Sequence, residues 1–488
     1  MSAGNRVAEI FRDKIKPIVL CLSIGLFLIL LAYGFPDSPS PWFDEGINLG
    51  VARSWVEHRV YSMRIGPNEF VEERASLITT NYPLLFFVAV AFKIFGVGLG
   101  QAKAVLFIFL ALFLLLAYQL SKKMYGQNAA LTTLALLVTF LPLYGNGKSA
   151  LGEIPGLTYF LGGLLLLGNN KGWRVFATGI LFGLAVATKP IYFLLFVGIV
   201  IGEWFTNIRG KKIDYKHLGL LFGGMAIPLC VWLYTLFPEK PTFSYLVKSF
   251  GSYSNPYETK VDSAFWHNLF RFVTETTPIH FILLFGTFVV AKLVTKLRSL
   301  NQTEVIVLVF ILLDIVFYLR TPGWYRYFFP SHILVFILFP PAAWYLVSRI
   351  FSANRARYVI AAVFMVILLA AQLTVISSNM NTSLYYNPEP ATFARQIDRL
   401  VAPDSNILVV DNPALAFMLK SKNVWQHVRI SPHLETSVDL LKREQYPTYI
   451  VGGPWSEDVY LKSYMNLSNK YNIVVTEGRY SLYRLRAD

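Results

Sequence analysis

Three acidic residues stand where the packing of an apolar helix does not require them. Asp44 and Glu45 are adjacent, and Glu153 is an isolated acid within a long apolar region. A carboxylate without a neutralising partner can accept a proton from a hydroxyl group or bind a divalent cation. The alternative is structural, because Asp44 suits the start of an amphipathic helix over 47–56, and Glu153 would lie at the positive end of a helix that begins at Pro155.

Basic and aromatic side chains lie in the same parts of the sequence. The basic candidates are Lys148, Lys189, Arg320 and Arg326, and the aromatic residues near them are Tyr82, Trp324, Tyr325 and Tyr327. Lysine and arginine can hold a phosphate through charge-assisted hydrogen bonds. The alternative is that each long basic chain only reaches from a helix end toward water.

The composition identifies the elements that must position these residues. Of the 488 residues, 55% are hydrophobic and 15% are charged, against about 25% charged in a soluble domain. With a mean hydropathy of +0.48, the chain is predicted to be a polytopic α-helical membrane protein. The net charge of +15 comes from short basic clusters between apolar runs, which argues against nucleic-acid binding. Cys21 and Cys230 lie inside apolar runs, so no disulfide framework or zinc site is expected.

Apolar runs of the length that crosses a bilayer, roughly 17–25 residues, predict about eleven transmembrane helices. They lie near 17–34, 101–120, 128–145, 154–169, 174–189, 190–206, 218–237, 278–295, 303–319, 328–347 and 358–377. The first run has no small-residue cleavage site after it, so we expect an uncleaved helix. The run 83–96 is shorter and contains Lys93, which favours an outer juxtamembrane helix.

Charge parity predicts the orientation. If the run 83–96 does not cross, five basic clusters share the cytoplasmic side with the N-terminus: Lys122/Lys123, Lys171/Arg174, Arg209/Lys211/Lys212, Lys296/Arg298 and Arg349/Arg355/Arg357. If it does cross, all five move outside. We therefore expect an integral plasma (inner) membrane protein with a cytoplasmic N-terminus and an extracytoplasmic C-terminus.

Two domains follow from this topology. Residues 1–378 are predicted to form the transmembrane domain, with a first outer loop over 35–100. Residues 379–488 are predicted to form a small extracytoplasmic α/β domain, with strands at 406–411, 448–453, 472–478 and 481–486.

The predicted outer loops of chemical interest are 35–100, 146–153, 238–277 and 320–327, and the candidate residues fall in the first, second and fourth of them or at helix ends on the same side. The positive-inside tendency depletes cations there, so each one is a weak pointer to function. Carboxylates, cations and aromatic rings at one membrane surface suit an anionic donor carried by a lipid and a polar acceptor.

The sequence resembles the polyprenyl-phosphate-dependent glycosyltransferases of the GT-C type, in particular relatives of the protein O-mannosyltransferases and of the aminoarabinose transferase that modifies lipid A. The resemblance covers roughly residues 10–350. It rests on the order and spacing of Asp44-Glu45, Asn81-Tyr-Pro-Leu, the stretch ending Phe95-Gly96, Lys122-Lys-Met-Tyr-Gly126, Glu153, Lys189-Pro190 and Arg326-Tyr-Phe-Phe-Pro330. Asn81-Tyr82-Pro83 replaces the Lys-Pro-Pro of many relatives, and this leaves the acceptor open.

The resemblance implies a GT-C-like fold and transfer of a sugar from an undecaprenyl or dolichyl phosphate at the outer face. It implies that Asp44 is the catalytic carboxylate, with Glu45 and Glu153 in support. The acceptor would be a hydroxyl of a protein, lipid or glycan, and the enzyme a hexosyl- or pentosyltransferase.

The expected chemistry is a single inverting displacement. Asp44 would act as the general base, while Lys189 and Arg326, and more weakly Lys148 and Arg320, would hold the donor phosphate. Tyr82, Tyr325 and Tyr327 would line the cavity. No cofactor is assigned, and whether Asp44 and Glu153 hold Mg²⁺ or Mn²⁺ stays open.

The competing hypothesis is a polytopic transporter or a flippase for lipid-linked sugars, which would also have many spans and buried charges. Common transporter folds tend to contain internal repeats and helices broken at the membrane midplane. This sequence instead places its candidate residues at one interface, next to a long first outer loop, and this pattern favours the transferase.

Overall fold

A computed structural model describes residues 3–168, 171–208, 215–237, 244, 260–295, 297, 300–321, 323–351, 353–380, 382, 387–431, 434–435, 446–454 and 470–486. Most of the predicted outer loop 238–277, namely 238–259 apart from Ser244, lies outside the described residues.

Helices make up most of the described chain. They are α1 (Ala3–Ala32), α2 (Phe43–His58), α3 (Arg74–Leu77), α4 (Tyr82–Phe95), α5 (Leu99–Tyr125), α6 (Gln127–Val138), α7 (Leu141–Gly147), α8 (Glu153–Leu166), α9 (Gly172–Thr188), α10 (Leu194–Ile208) after a 3-10 turn at Pro190–Phe193, α11 (Tyr215–Leu236), α12 (Val261–Thr274), α13 (Thr276–Val294), α14 (Gln302–Arg320), α15 (Tyr325–Ile350), α16 (Asn354–Asn379), α17 (Glu389–Leu400) and α18 (Pro413–Met418).

The described strands are β1 (Arg64–Gly66), β2 (Glu69–Phe70), β3 (Asn406–Val410), β4 (Asn423–His427), β5 (Arg429–Ser431), β6 (Leu434–Glu435), β7 (Tyr449–Gly452), β8 (Tyr471–Glu477) and β9 (Tyr480–Leu485). The four predicted C-terminal strands correspond to β3, β7, β8 and β9. The sequence analysis missed β4, β5 and β6.

Every predicted span coincides with helix, and six described helices (α5, α11, α13, α14, α15 and α16) are long and apolar enough to cross a membrane. The chain is therefore a multi-pass membrane protein, while the count of eleven spans stays a prediction because α8, α9 and α10 are shorter. The predicted span 128–145 is not one straight helix, since α6 and α7 meet at 71°. Pro142, in the first turn of α7, has no N–H to continue the helical hydrogen bonds.

Helices α9 and α11 pack closely against each other in the bundle. A Cβ at Gly179 would come within 2.1 Å of the carbonyl oxygen of Leu221, and one at Gly224 within 2.3 Å of that of Phe176. Small residues let the two backbones approach where larger side chains would hold them apart.

The short helix α4 has two different faces. Leu84, Leu85 and Val88 are buried, whereas Phe87 and Ile94 are exposed. At about 1.5 Å per residue, its 14 residues reach only some 21 Å. A short helix with one packed and one open apolar face is suited to the membrane surface, as predicted for 83–96.

The C-terminal domain contains a five-stranded sheet in the order β4-β3-β7-β9-β8. β3 pairs in parallel with β4 and β7, and β9 pairs antiparallel with β7 and β8. Ile407, Val409 and Val451 on one face pack against Phe393 and Ile397 of α17. This confirms the predicted small α/β domain, while its boundary at residue 379 stays a prediction.

Candidate active site

Two helix starts meet at an ion pair. Asp44 lies in the first turn of α2, Arg326 lies in the first turn of α15, and Oδ2 of Asp44 pairs with Nη1 of Arg326. The side chains are 18% and 12% exposed, so a substrate can reach both. The positive end of a helix favours Asp44 and disfavours Arg326, so Arg326 depends on its other contacts.

Aromatic rings provide those contacts. The guanidinium carbon of Arg326 lies 5.4 Å from the ring centre of Trp324 and 5.3 Å from that of Tyr327. Stacking of this kind orients the planar group, and the Tyr327 side chain is also hydrogen-bonded to Arg326. Nε of Arg326 is buried and has no hydrogen-bond partner among the described residues, so one donor of the guanidinium is left unsatisfied.

Glu45, next to Asp44, has a different environment. Its side chain is fully buried and accepts hydrogen bonds from the backbone N–H groups of Ala150 (3.1 Å) and Trp42 (3.3 Å). Nζ of Lys103 lies 3.3 Å from Oε1. Glu45 therefore connects α2 to the segment before α8, and its carboxylate is not open to a substrate.

Lys103, the partner of Glu45, was missed by the sequence analysis. It lies in the first turns of α5, is fully buried, and also donates to the carbonyl of Pro39 at 3.2 Å. A lysine inside a predicted span is a signal that could have revealed it, because buried charges in membrane helices are rarely without a partner.

A second ion pair lies behind the first. Oε1 of Glu153, at the start of α8, pairs with Nζ of Lys189, and both side chains are almost completely buried. Lys189 also donates to the carbonyl of Leu151 at 2.7 Å, and the Tyr192 hydroxyl donates to the carbonyl of Glu153 at 2.7 Å. Oε2 of Glu153 has no hydrogen-bond partner within the described part of the chain.

The three pairs form one group, which we call the site cluster: Asp44, Glu45, Lys103, Glu153, Lys189 and Arg326. Arg326 and Asp44 both act electrostatically on Lys189, and Glu153 acts on Arg326. Three carboxylates and three cations leave the cluster without net charge. The predicted acids are thus brought together, with only the Asp44–Arg326 pair partly exposed.

Asn81 adds a polar group to this region. Its backbone N–H donates to the carbonyl of Thr188 at 3.1 Å, directly before Lys189. The side-chain amide is buried, and neither its oxygen nor its nitrogen has a partner in the described ranges. Unpaired buried amides are uncommon in folded proteins.

Two of the predicted phosphate-binding cations lie apart from the site cluster. Nζ of Lys148 donates to the carbonyls of Tyr33 (2.9 Å) and Leu30 (3.4 Å) at the end of α1. Burial, helped by the nearby charge of Lys103, lowers the pKa of Lys148 to about 8. Arg320 is exposed at the end of α14. The contacts of Lys148 are those of a helix cap.

The predicted cavity tyrosines make specific contacts. The Tyr82 hydroxyl donates to the carbonyl of Pro228 at 3.2 Å, and burial raises the pKa of Tyr82 to about 12. The Tyr325 hydroxyl lies 2.8 Å from Nδ1 of His332, whose Nε2 lies 2.9 Å from Nδ1 of His280. Tyr327 contacts Arg326, as described above.

The open question of a metal can be tested against these contacts. Asp44 and Glu153, the expected ligands, each already pair with a cation. Among the residues that the structure describes, no group of three or more His, Cys, Asp or Glu side chains is arranged to hold a metal ion. Because both acids are already paired with cations, their arrangement does not fit a divalent cation, and the proposed reaction does not include one.

Comparison with solved structures identifies the fold. The chain is similar to the crystal structure of ArnT from Cupriavidus metallidurans bound to undecaprenyl phosphate, with 14% identity and a TM-score of 0.65 over 95% of this chain and 97% of that one. It is also similar to the archaeal oligosaccharyltransferase AglB from Archaeoglobus fulgidus in complex with an inhibitory peptide and a dolichol-phosphate (12% identity, TM-score 0.56, 91% and 70% covered).

A third similar structure is the arabinofuranosyltransferase AftD from Mycobacteria, at 14% identity and a TM-score of 0.55, where 97% of this chain matches 40% of that one. No protein-family model and no curated protein sequence matches the chain. At these identities the likeness is one of fold. It confirms the resemblance noted in the sequence: the chain has the fold of the GT-C glycosyltransferases, a multi-pass helical bundle followed by a small α/β domain.

Proposed function

We propose that the protein is a membrane glycosyltransferase that moves a sugar from a polyprenyl phosphate to a hydroxyl group of a protein, lipid or glycan. The observation that carries the proposal is the partly exposed Asp44–Arg326 pair. It combines a carboxylate that can accept a proton with a guanidinium that can bind a phosphate. The similar ArnT structure contains undecaprenyl phosphate, and this supports the choice of donor.

The reaction follows from these two groups. The acceptor oxygen attacks the anomeric carbon of the sugar, the bond from that carbon to the phosphate oxygen breaks, and its electron pair stays on the lipid phosphate. Asp44 takes the proton of the acceptor hydroxyl and later returns it to solvent. Arg326 stabilises the growing phosphate charge. One displacement inverts the anomeric centre.

Donor binding would also activate the base. In the structure Asp44 is paired with Arg326, so its carboxylate must leave the guanidinium before it can accept the proton of the acceptor hydroxyl. When the phosphate binds to Arg326, it competes with Asp44 and releases that carboxylate toward the acceptor. Because the Arg326 side chain is partly exposed, the phosphate can approach the guanidinium before the ion pair opens.

The buried pairs would hold this geometry. Lys189 was expected to bind the phosphate directly, but its contacts with Glu153 and Leu151 favour action through its positive charge at longer range. Glu45 and Lys103 fix α2 beside α5 and the segment before α8. We place the reaction at the extracytoplasmic face, with the N-terminus in the cytoplasm, because of the distribution of basic clusters.

The direct test is donor turnover. Purified protein in detergent, given a polyprenyl-phosphate-linked sugar and candidate acceptors, should release free polyprenyl phosphate and form a product of inverted anomeric configuration by NMR. Mass spectrometry of glycans from membranes with and without the gene would supply the acceptors. If the donor stays intact with those acceptors present, the transporter or flippase becomes the better explanation, since neither has a vectorial task in detergent.

A further inference from the structure

The C-terminal domain touches the helix that carries Asp44 and Glu45. Where α18 crosses α2, a Cβ placed on Gly46 would come within 2.2 Å of the backbone nitrogen of Ala414 and 2.3 Å of the carbonyl carbon of Pro413. Both atoms belong to backbone and cannot rotate away. The approach therefore requires glycine at this position.

The contact is made by a particular edge of the α/β domain. α18 follows the carboxyl end of β3, and Val428 follows the carboxyl end of β4. Val428 is fully buried in a cluster with Ile47 and Val51 of α2. In open α/β sheets, ligands bind at the carboxyl ends of parallel strands. Here α2 covers part of that edge.

Polar contacts hold the two parts together farther along α2. Arg53 donates through Nη1 to the carbonyl of Leu419 (2.9 Å) and through Nη2 to the carbonyl of Ser421 (2.8 Å). Leu419 is the C-cap residue of α18. A guanidinium at a helix C-terminus also meets the negative end of the helix dipole. Arg64 donates to the carbonyl of Lys422 at 2.8 Å. These contacts hold the C-terminal domain against α2 and against β1.

We propose that the C-terminal domain positions α2, and through it the carboxylate of Asp44, for transfer. Gly46 and Arg53 are positioning residues in this arrangement. The proposal rests on the proposed function, in which Asp44 takes the proton of the acceptor. It gives the C-terminal domain a role within the active site of the transmembrane domain.

The place of Gly46 in the first turn of α2 explains why a substitution there should affect turnover. Gly46 is two residues from Asp44 and directly follows Glu45, whose hydrogen bond to Ala150 depends on where the first turn of α2 lies. Displacement of a reacting group by about 1 Å can cost about 10²-fold in rate. Arg326 is on α15 and not on α2, so donor binding should respond less than turnover.

The first test compares two glycines of α2. In Gly46→Ala the new methyl group must push α18 away, whereas in Gly50→Ala it meets only the end of the Gln426 side chain, at 3.1 Å. We expect Gly46→Ala to lower kcat about tenfold or more while the donor KM changes less than about threefold, and Gly50→Ala to stay near wild type. Equal kcat in Gly46→Ala and wild type would overturn the proposal.

The second test acts far from Asp44 and avoids a direct effect of the methyl group. Arg53→Gln removes the bonds to Leu419 and Ser421, while Glu57→Gln removes only the ion pair with Arg53, at 3.0 Å. Arg53→Gln should lower kcat about three- to tenfold with little change in donor KM. Glu57→Gln should stay within about twofold of wild type. Equal effects in the two variants would contradict positioning by the C-terminal domain.

Amide hydrogen exchange distinguishes failure of this proposal from failure of the proposed function, and it also shows whether a variant has folded poorly. Amide hydrogen exchange should rise in α2 and in residues 411–418 of Gly46→Ala and Arg53→Gln, and stay unchanged in α16 (Asn354–Asn379). If wild-type protein shows no transfer but exchange responds in this way, the function fails and the contact stands. If wild type is active and neither exchange nor kcat responds in Arg53→Gln, the positioning role fails.

Discussion

The two ends of α5 contact two clusters of buried charges that are built differently. Lys103 near its start belongs to the site cluster, and Tyr125 at its last residue belongs to what we call the Glu304 cluster: Tyr125, Lys292, Asn301 and Glu304. The two residues are 22 positions apart, or about 33 Å along a helix. This is about the thickness of the hydrocarbon core.

The Glu304 cluster is complete. Oε1 of Glu304 accepts from the Tyr125 hydroxyl (2.6 Å) and from Nζ of Lys292 (2.8 Å), and Oε2 accepts from the backbone N–H of Asn301 (3.0 Å). The Asn301 side chain in turn accepts from the backbone N–H of Glu304 (2.9 Å), which closes the cap of α14. Every carboxylate oxygen has a partner, as expected of a group that stabilises helix ends.

The site cluster is incomplete. Oε2 of Glu153 and Nε of Arg326 have no partner among the described residues, and the same is true of the side-chain amide of Asn81 next to the cluster. Asp44 and Arg326 are partly exposed. Unsatisfied polar groups destabilise a fold, so they are expected where a substrate completes the set. The contrast between these two clusters is the one expected if a substrate completes the site cluster.

The largest expected effect is on Asp44. Asp44→Asn should lower transfer by about 10²–10⁴-fold, because the amide cannot accept the proton, while the thermal unfolding temperature in detergent changes little. Turnover and unfolding are measured on the same preparation. Near wild-type turnover would refute the role of Asp44 as base.

Arg326 should show the next largest effect. Arg326→Gln should slow transfer or weaken donor use by about tenfold or more, and Arg326→Lys should restore only part of it because the planar fork is lost. Donor-dependent kinetics measure both. Arg349→Gln, at the other end of α15, is the matched control. If Arg326→Gln and the control have the same donor KM and kcat, the guanidinium only pairs with Asp44 and does not hold the donor phosphate.

Glu304 should show the opposite pattern. Glu304→Gln loses charge-assisted bonds from Lys292 and Tyr125, so we expect a lower unfolding temperature, corresponding to about 1–3 kcal/mol. Its kcat, measured below the unfolding transition, should stay within about twofold of wild type. Large loss of kcat with unchanged stability would break the distinction between the two clusters.

The smallest expected effect concerns Lys148. Its pKa is lowered to about 8 from about 10.4 in an unfolded chain, so the unfolded state binds this proton more tightly. The contribution of Lys148 to the free energy of unfolding should therefore rise as the pH increases from about 8 to 10, and it should stay constant below about pH 8. Lys148→Met should show a smaller rise of unfolding temperature over that range. An equal rise in both proteins would mean that Lys148 is not desolvated.

The sequence predicted the apolar helices, four C-terminal strands and the acids and arginine of the site, because these depend on hydropathy, alternation and local position. It did not predict which charges pair. Lys103 was hidden inside an apolar run, and the contact of Lys148 with α1 joins residues more than a hundred positions apart. β4 was missed because Asn423-Val-Trp-Gln-His reads as neither a continuous apolar run nor a regular alternation. The closeness of α18 to Gly46 likewise depends on tertiary packing that no local pattern records.

In the proposed mechanism Asp44 and the donor phosphate compete for Arg326, and a binding measurement tests this directly. Affinity for polyprenyl phosphate is measured in detergent for wild type, Asp44→Asn and Glu304→Gln. Asp44→Asn, although inactive in transfer, should bind polyprenyl phosphate several-fold more tightly than wild type. The reason is that Arg326 loses its internal partner, and the carboxylate no longer repels the phosphate. Glu304→Gln should bind it as wild type does. Equal or weaker binding by Asp44→Asn would contradict the competition on which the proposed mechanism depends.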